Sequence, residues 1–274
     1  MASILTNISG AWQYDFVRTA LEAGTVCALL AAAVGYFVVL RQMAFAGHAL
    51  GHIGFAGACA GVVIGCGALP GMLVLNIVAA AGMGFLGKRV QESDLIIGMT
   101  LAFALGLGTF FLAMFKGYAG QANVILFGSI LSVSTGQLVG MLVLTIVGVV
   151  GLLLLFRPLL FATLEPELAE AKGVPLRLVS TLFYMLVAVA VAFASQIVGV
   201  LLVFTLLIGP PAIALRFCRT VWPGLLLSVA IGVGVTWATL ILAYITDDPP
   251  SFWAPTLLFG LYLGSAALTR RRGA

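Results

Sequence analysis

Charge is what this sequence has least of. Only 8% of its 274 residues are Asp, Glu, Lys or Arg, against about 25% in a water-soluble domain, and 62% belong to the hydrophobic set. No water-soluble fold hides that much apolar surface. The period-two alternation of membrane-barrel strands is also missing, and runs of about 20 apolar residues stand in its place. Lipid offers backbone groups no hydrogen-bond partners, so such runs must be helices. The expected fold is all-α: one polytopic transmembrane bundle over residues 1–274, with about 8–9 crossings and short interfacial helices.

Other absences exclude whole classes of function. The chain has no Gly-x-x-x-x-Gly-Lys-Ser/Thr phosphate loop, so it does not bind ATP in the usual way and its energy must come from elsewhere. Its four cysteines, Cys27, Cys59, Cys66 and Cys218, lie in apolar runs and form no Cys-x-x-Cys pair, which reads as small helix residues rather than a disulfide framework. The thirteen basic residues are scattered between apolar runs with no basic face, which argues against nucleic acid. A proton- or sodium-driven carrier normally keeps a carboxylate inside the membrane. Here only Glu22 lies well inside an apolar run, and the two halves show no inverted repeat. The N-terminal stretch MASILTNISGAWQYDFVR has neither a basic leader nor a long apolar core, so no removed segment is expected.

What is present is a series of apolar runs cut by small charged or Pro/Gly clusters. The expected crossings are Val17–Leu40, Ala44–Gly67, a third from about Gly71 to Lys88-Arg89, Leu95–Phe115, Gln137–Phe156, Leu178–Ala194, Val198–Leu215, Val221–Ile245 and Phe252–Leu268. Val124–Val133, at about ten residues, is too short to cross and reads as interfacial or re-entrant. Placing the ends of odd-numbered helices inside collects eleven basic residues on that side and leaves Arg18 and Lys116 opposite. This fits nine crossings, N-terminus outside and C-terminus inside. A re-entrant seventh segment, broken at Gly209-Pro210-Pro211, would change the parity.

The longest inner loop is residues 159–178. It reads as a short amphipathic helix with Leu160, Leu164, Leu168 and Ala171 on one face and Glu165, Glu167, Glu170 and Lys172 elsewhere, closed by Gly173 and blocked by Pro175. Such a helix either docks into a partner's groove or lies on the membrane.

Five collinear elements, VVLRQMAFAGHALGHIGFAG, SDLIIGMTLAFALGLG, ILFGSILSVS, LFATLEPELAEAKGVP and VGVLLVFTLLIGPPAIA, carry a resemblance over about Phe16 to Leu268. The chain resembles the permease subunits of ABC importers for zinc, manganese and iron(II). The resemblance implies a permease homodimer in a bacterial inner (plasma) membrane, a cytoplasmic ATPase subunit, an extracytoplasmic metal-binding protein and no enzymatic activity of the chain itself. It implies that Leu164–Pro175 is the coupling helix contacted by the ATPase, with Glu165, Glu167, Ala171 and Gly173 as coupling residues. No permanently bound cofactor is implied, only a transported divalent ion.

The only histidines, His48 and His52, are four apart, so on a helix they share a face and can hold one divalent ion between them. The residue after His48 is Ala49, which removes the general base of the zinc-peptidase motif His-Glu-x-x-His. Small neighbours, Gly47, Ala49, Gly51, Gly54, Ala56 and Gly57, also allow the bland reading, in which these histidines only bond a closely packed helix. Where the family usually has Gly-Asp-Ala-Leu-Ser-His, this chain has Gly47-His48-Ala49-Leu50-Gly51-His52. Imidazole in place of carboxylate favours zinc over manganese. Cys59 and Cys66 continue the heptad from His52 but stand about 10 Å apart along a helix, beyond one coordination sphere, so core packing is expected for them.

Asp94 opens the fourth crossing, where it suits the positive end of the helix dipole, and it also belongs to the family pattern Asp-x-x-Ile-Gly. Gly209-Pro210-Pro211 frees carbonyls that could line a pathway or form a hinge. Ser195 and Gln196 are placed at an outer vestibule, and Asp247 and Asp248 in an outer turn. Two alternatives stay open beside the importer: an ion-coupled secondary carrier, and a permease for a metal chelate.

Overall fold

The computed structural model describes residues 15–86, 90–114, 135–246 and 248–272. Among them are ten helices and no strand: α1 (Asp15–Leu40), α2 (Ala44–Ile64), α3 (Ala68–Leu86), α4 (Val90–Met114), α5 (Thr135–Leu164), α6 (Pro166–Ala171), α7 (Leu176–Val198), α8 (Val200–Phe217), α9 (Val221–Thr246) and α10 (Pro250–Arg272). Eight of these are long and apolar enough to cross a membrane; α8 adds a shorter apolar stretch, Leu202–Phe217. At 1.5 Å per residue, the 18 residues of α8 extend about 27 Å, close to the hydrocarbon thickness.

Contacts along the seams fix the direction of each helix. Ser228 on α9 donates to the Ala32 carbonyl at 3.1 Å and Trp237 donates to Thr25 at 2.8 Å, so α9 runs antiparallel to α1. Gly47 and Gly51 of α2 face Leu207 and Val200 of α8, which makes that pair antiparallel as well. On α10, Leu258 lies beside Gly209 and Tyr262 beside Arg216, so α10 is parallel to α8. Gly54 and Gly61 of α2 meet Asn76 and Gly71 of α3, and Gly84 and Asn76 of α3 meet Thr181 and Ala188 of α7, antiparallel in both cases. The long helices therefore alternate in direction with α8 counted as a crossing, as nine crossings require. Arg41, Arg157, Lys172, Arg177, Arg216 and Arg219 share one end of the bundle.

Helices α1, α2 and α7 are the most enclosed, whereas α4, α5 and α10 form the outside. Leu154 is 77% exposed, Phe103 68% and Phe259 65%, an outward apolar coat that only lipid satisfies. The inner helices meet through small residues. A Cβ on Gly35 would strike the Leu207 carbonyl, and one on Gly224 would stand 2.5 Å from the Tyr36 hydroxyl. Close backbone approach of this kind replaces the hydrophobic drive that membrane helices lack.

Several boundaries differ from expectation. Arg157-Pro158 does not stop a helix: α5 continues to Leu164 with Pro158 inside it. One proline removes a single donor, and beyond it buried Leu159 and Ala162, with the Thr163 hydroxyl bonded to the Leu159 carbonyl, hold the last turns. The α2 helix ends at Ile64 rather than Gly67, because Gly65 is left-handed (φ 85°) and the amides of Cys66 and Gly67 turn back to the Gly61 carbonyl. Leu69-Pro70-Gly71 forms the first turn of α3, where a proline's missing donor costs nothing. The α4 helix starts at Val90, so Asp94 is its fifth residue rather than its cap. The expected interfacial piece, Val124–Val133, lies outside the described residues.

Candidate metal pathway along helix α2

The connection from α1 into α2 is short. Met43 N–H bonds the Val38 carbonyl at 2.8 Å and Gln42 takes a positive φ of 59°. From Ala44 the helix is almost wholly buried, because its glycines serve two seams at once. A Cβ on Gly47 would come within 2.7 Å of Leu207, and one on Gly51 within 2.9 Å of Val200, which places α8 on one flank. A Cβ on Gly57 would come within 2.5 Å of the Gly71 carbonyl, which places α3 on the other.

His48 and His52 stand one turn apart on the strip left over, each half-buried. Their ring centroids are 4.7 Å apart with planes at 81°, and the His48 ring also meets Phe204 of α8 at 4.6 Å. His48 Nδ1 is buried without a hydrogen-bond partner among the described residues. His52 is the ninth residue of a 21-residue helix, near its middle, and His48 lies one turn nearer the Arg41 end. Two edge-to-face imidazoles at this separation can turn their nitrogens towards one ion, and the apolar wall leaves that electron pair no competing donor. No third His, Cys, Asp or Glu joins them among the described residues.

The other candidates are spread out. Cys59 is buried in α2, whereas Cys66 is exposed beyond the helix end with its thiol donating to the Gly61 carbonyl at 3.5 Å, so the heptad from His52 does not extend to it. Asp94 sits on the α4 backbone near the end of the bundle that holds Arg41, since α4 runs beside α2 with Gly98 near Phe45. Gly209, Pro210 and Pro211 lie within a continuous α8. Pro211 deprives the Leu207 carbonyl of its donor, and that oxygen packs against Gly35. Ser195 is a fully buried residue of α7 whose hydroxyl has no partner among the described residues, not a loop residue. Asp248 is exposed; Asp247 lies outside the described residues.

At the end of the bundle that holds Arg41, the expected single amphipathic helix is divided. Leu160 and Leu164 complete α5, Glu165 interrupts the helix at φ −138° and ψ 69°, and Pro166–Ala171 form the six-residue α6. Its buried residue is Ala169; Leu164 and Leu168, expected on the packed face, are exposed, as are Glu165, Glu167, Glu170 and Ala171. Gly173 closes α6 with φ 79°, and Val174 N–H returns to the Ala169 carbonyl at 3.0 Å.

Sequence reading missed Asn76, whose buried amide on α3 reaches the Ala188 carbonyl at 3.5 Å, and the bond from Arg41 to Ser180 at 2.9 Å. The only asparagine in the apolar run from Ala68 to Leu86 was the available signal for the first.

The fold is that of a polytopic α-helical membrane protein. Its sequence matches the profile of the ABC 3 transport family over residues 13–269, and the chain belongs to that family. It is 30% identical over 243 residues to the manganese import system permease protein ScaB of Streptococcus parasanguinis, covering 86% of this chain and 85% of that one. It is 29% identical over 208 residues to the high-affinity zinc uptake system membrane protein ZnuB of Haemophilus influenzae, covering 76% and 80%. Among solved structures it superposes with TM-score 0.85 and 25% identity on PsaBC from Streptococcus pneumoniae in complex with Fab, over 96% of this chain and 95% of that one.

Proposed function

We propose that this chain is the membrane-spanning permease subunit of an ABC importer that moves a divalent metal ion, zinc first and manganese or iron(II) next, into the cytoplasm across a bacterial inner membrane. The observation that carries the reading is the half-buried imidazole pair His48 and His52, midway along a glycine-lined helix. Relatives named for manganese import and for zinc uptake support a divalent ion of this class. Imidazole at position 48, where the family often has a carboxylate, favours the softer of the two.

In this reading the whole chain, 1–274, is one permease domain that works as a homodimer. An extracytoplasmic metal-binding protein delivers the ion and a separate ATPase subunit drives the cycle. The loop 159–178 is the coupling element, with Glu165, Glu167, Ala171 and Gly173 presented to the ATPase. The exposed acidic and apolar side chains around α6 suit a protein groove better than lipid. The ion passes between paired imidazoles that exchange its water for nitrogen, while the wall of Phe204 and the glycine seams limits the passage to a bare ion. Gly209, Pro210 and Pro211 act as a hinge in α8, and Asp94 marks the inner end of the route. The chain supplies binding and motion, and hydrolysis belongs to the partner.

ATP-dependent uptake of zinc, manganese and iron(II) into proteoliposomes holding the permease, ATPase and binding protein tests this. Uptake by the permease alone under an ion gradient would instead favour the ion-coupled secondary carrier. Uptake of a chelate and not of the free ion would favour the chelate permease.

A further inference from the structure

We propose that Arg41 is the positioning residue that links movement of the α6–α7 corner to helix α2, an inference that rests on the importer reading above. Arg41 sits in the three-residue connection between α1 and α2 and, partly buried, crosses to α7. One guanidinium nitrogen donates to Ser180 Oγ at 2.9 Å, and the guanidinium carbon lies 5.6 Å from the centroid of the Phe183 ring. The other terminal nitrogen, Nη1, is buried with no partner among the described residues. Burial lowers the guanidinium's pKa, and Tyr184, the residue one turn beyond Ser180 on α7, acts in the opposite direction.

Each side of this contact is fastened to a functional element. Ser180 belongs to the first turns of α7, where Val179 N–H bonds the Pro175 carbonyl at 3.0 Å, and Val174 N–H ties that corner to α6 through Ala169 at 3.0 Å. A tilt of α6 therefore carries Ser180 with it. On the other side, Gly47 N–H bonds the Met43 carbonyl at 3.2 Å, so the connection holding Arg41 runs without a break into the turn that bears His48. Gln42 is held at φ 59° between the two, in a region few residues other than glycine adopt.

The unpaired nitrogen gives this joint a second position. A buried donor without an acceptor is costly, so a shift that offers Nη1 a partner offsets part of its own cost. Ser180 and Tyr184 are four apart and share a face of α7, so a shift of α7 along its axis presents the Tyr184 hydroxyl to the same guanidinium. The planar fork presents its donors to both oxygens in a fixed geometry, which the single ammonium of a lysine does not.

The test uses the complete permease, ATPase and binding-protein complex in proteoliposomes, with zinc uptake and ATP hydrolysis measured on the same samples. Arg41→Gln is expected to hydrolyse ATP at the wild-type rate and to move about tenfold less zinc per ATP. Arg41→Lys is expected to behave in the same way. Ser180→Ala is expected to lose part of the coupling and to add nothing in the Arg41→Gln background. Unchanged zinc per ATP in Ser180→Ala overturns the proposal, even if the arginine variants fail to assemble. So does uptake that falls in Arg41→Gln only in proportion to the amount of complex. A wild-type complex that moves no metal with ATP overturns the importer reading itself, before any variant is compared.

Discussion

Gly57 of α2 and Gly71 of α3 are packed backbone to backbone, with each standing where a side chain on the other would have to go. A Cβ at 57 would be 2.5 Å from the Gly71 carbonyl, and nothing at that distance can rotate away. Gly57→Ala is expected to destabilise the bundle by about 1–3 kcal/mol, read as a lower unfolding temperature in detergent. Gly82→Ala on α3, where a Cβ meets nothing within 4 Å, is the control expected to show no loss.

Ser228 joins α9 to α1 through the Ala32 carbonyl at 3.1 Å, in a fully buried position. Interhelical hydrogen bonds in membranes contribute modestly, so Ser228→Ala is expected to lose about 0.6 kcal/mol. Ser228→Leu, which forces the helices apart, is expected to lose several times as much. Equal effects of the two in the same unfolding measurement would mean that the contact is not close.

Gly173 has φ 79° and open space where a Cβ would sit. Alanine there meets no clash, so its whole penalty, about 1–2 kcal/mol, comes from left-handed backbone. The strain falls on the corner between α6 and α7. Gly173→Ala is expected to reduce ATPase co-purification, and Gly173→Asn, which tolerates the conformation better, to reduce it less.

Glu165, Glu167 and Glu170 are exposed together around α6. If this face meets a basic groove, Glu167→Lys slows association with the ATPase by about tenfold at low salt. The difference should shrink as salt is raised, since exposed charges are screened. An association rate indifferent to the reversal would remove α6 from the interface.

Much of the fold was legible because one physical demand, backbone satisfaction in lipid, dominates it. Runs of apolar residues ending in Arg41, Arg216 or the 247–250 turn became helices close to the expected bounds. Pro158 misled because proline is a strong breaker in water, whereas a helix end held by buried Leu159 and Ala162 tolerates it. The loop after it was misread for a related reason. Spacing put Leu160, Leu164, Leu168 and Ala171 on one face, but the break at Glu165 separates that face into two helices, and Ala169 makes the contact. In the site, the spacing of His48 and His52 was enough to bring the rings together. What spacing could not supply was tertiary: Phe204 over His48, the hydroxyl of Ser180 under Arg41, and the burial of Ser195, each brought from a helix distant in sequence.

In the proposed route the ion passes through the imidazole pair on α2. ATP-driven zinc uptake by the reconstituted complex carrying His52→Ala tests it most directly, with thermal stability and assembly measured alongside. Uptake is expected to fall to background in a complex that assembles and unfolds like the wild type. Wild-type uptake by that variant would contradict it.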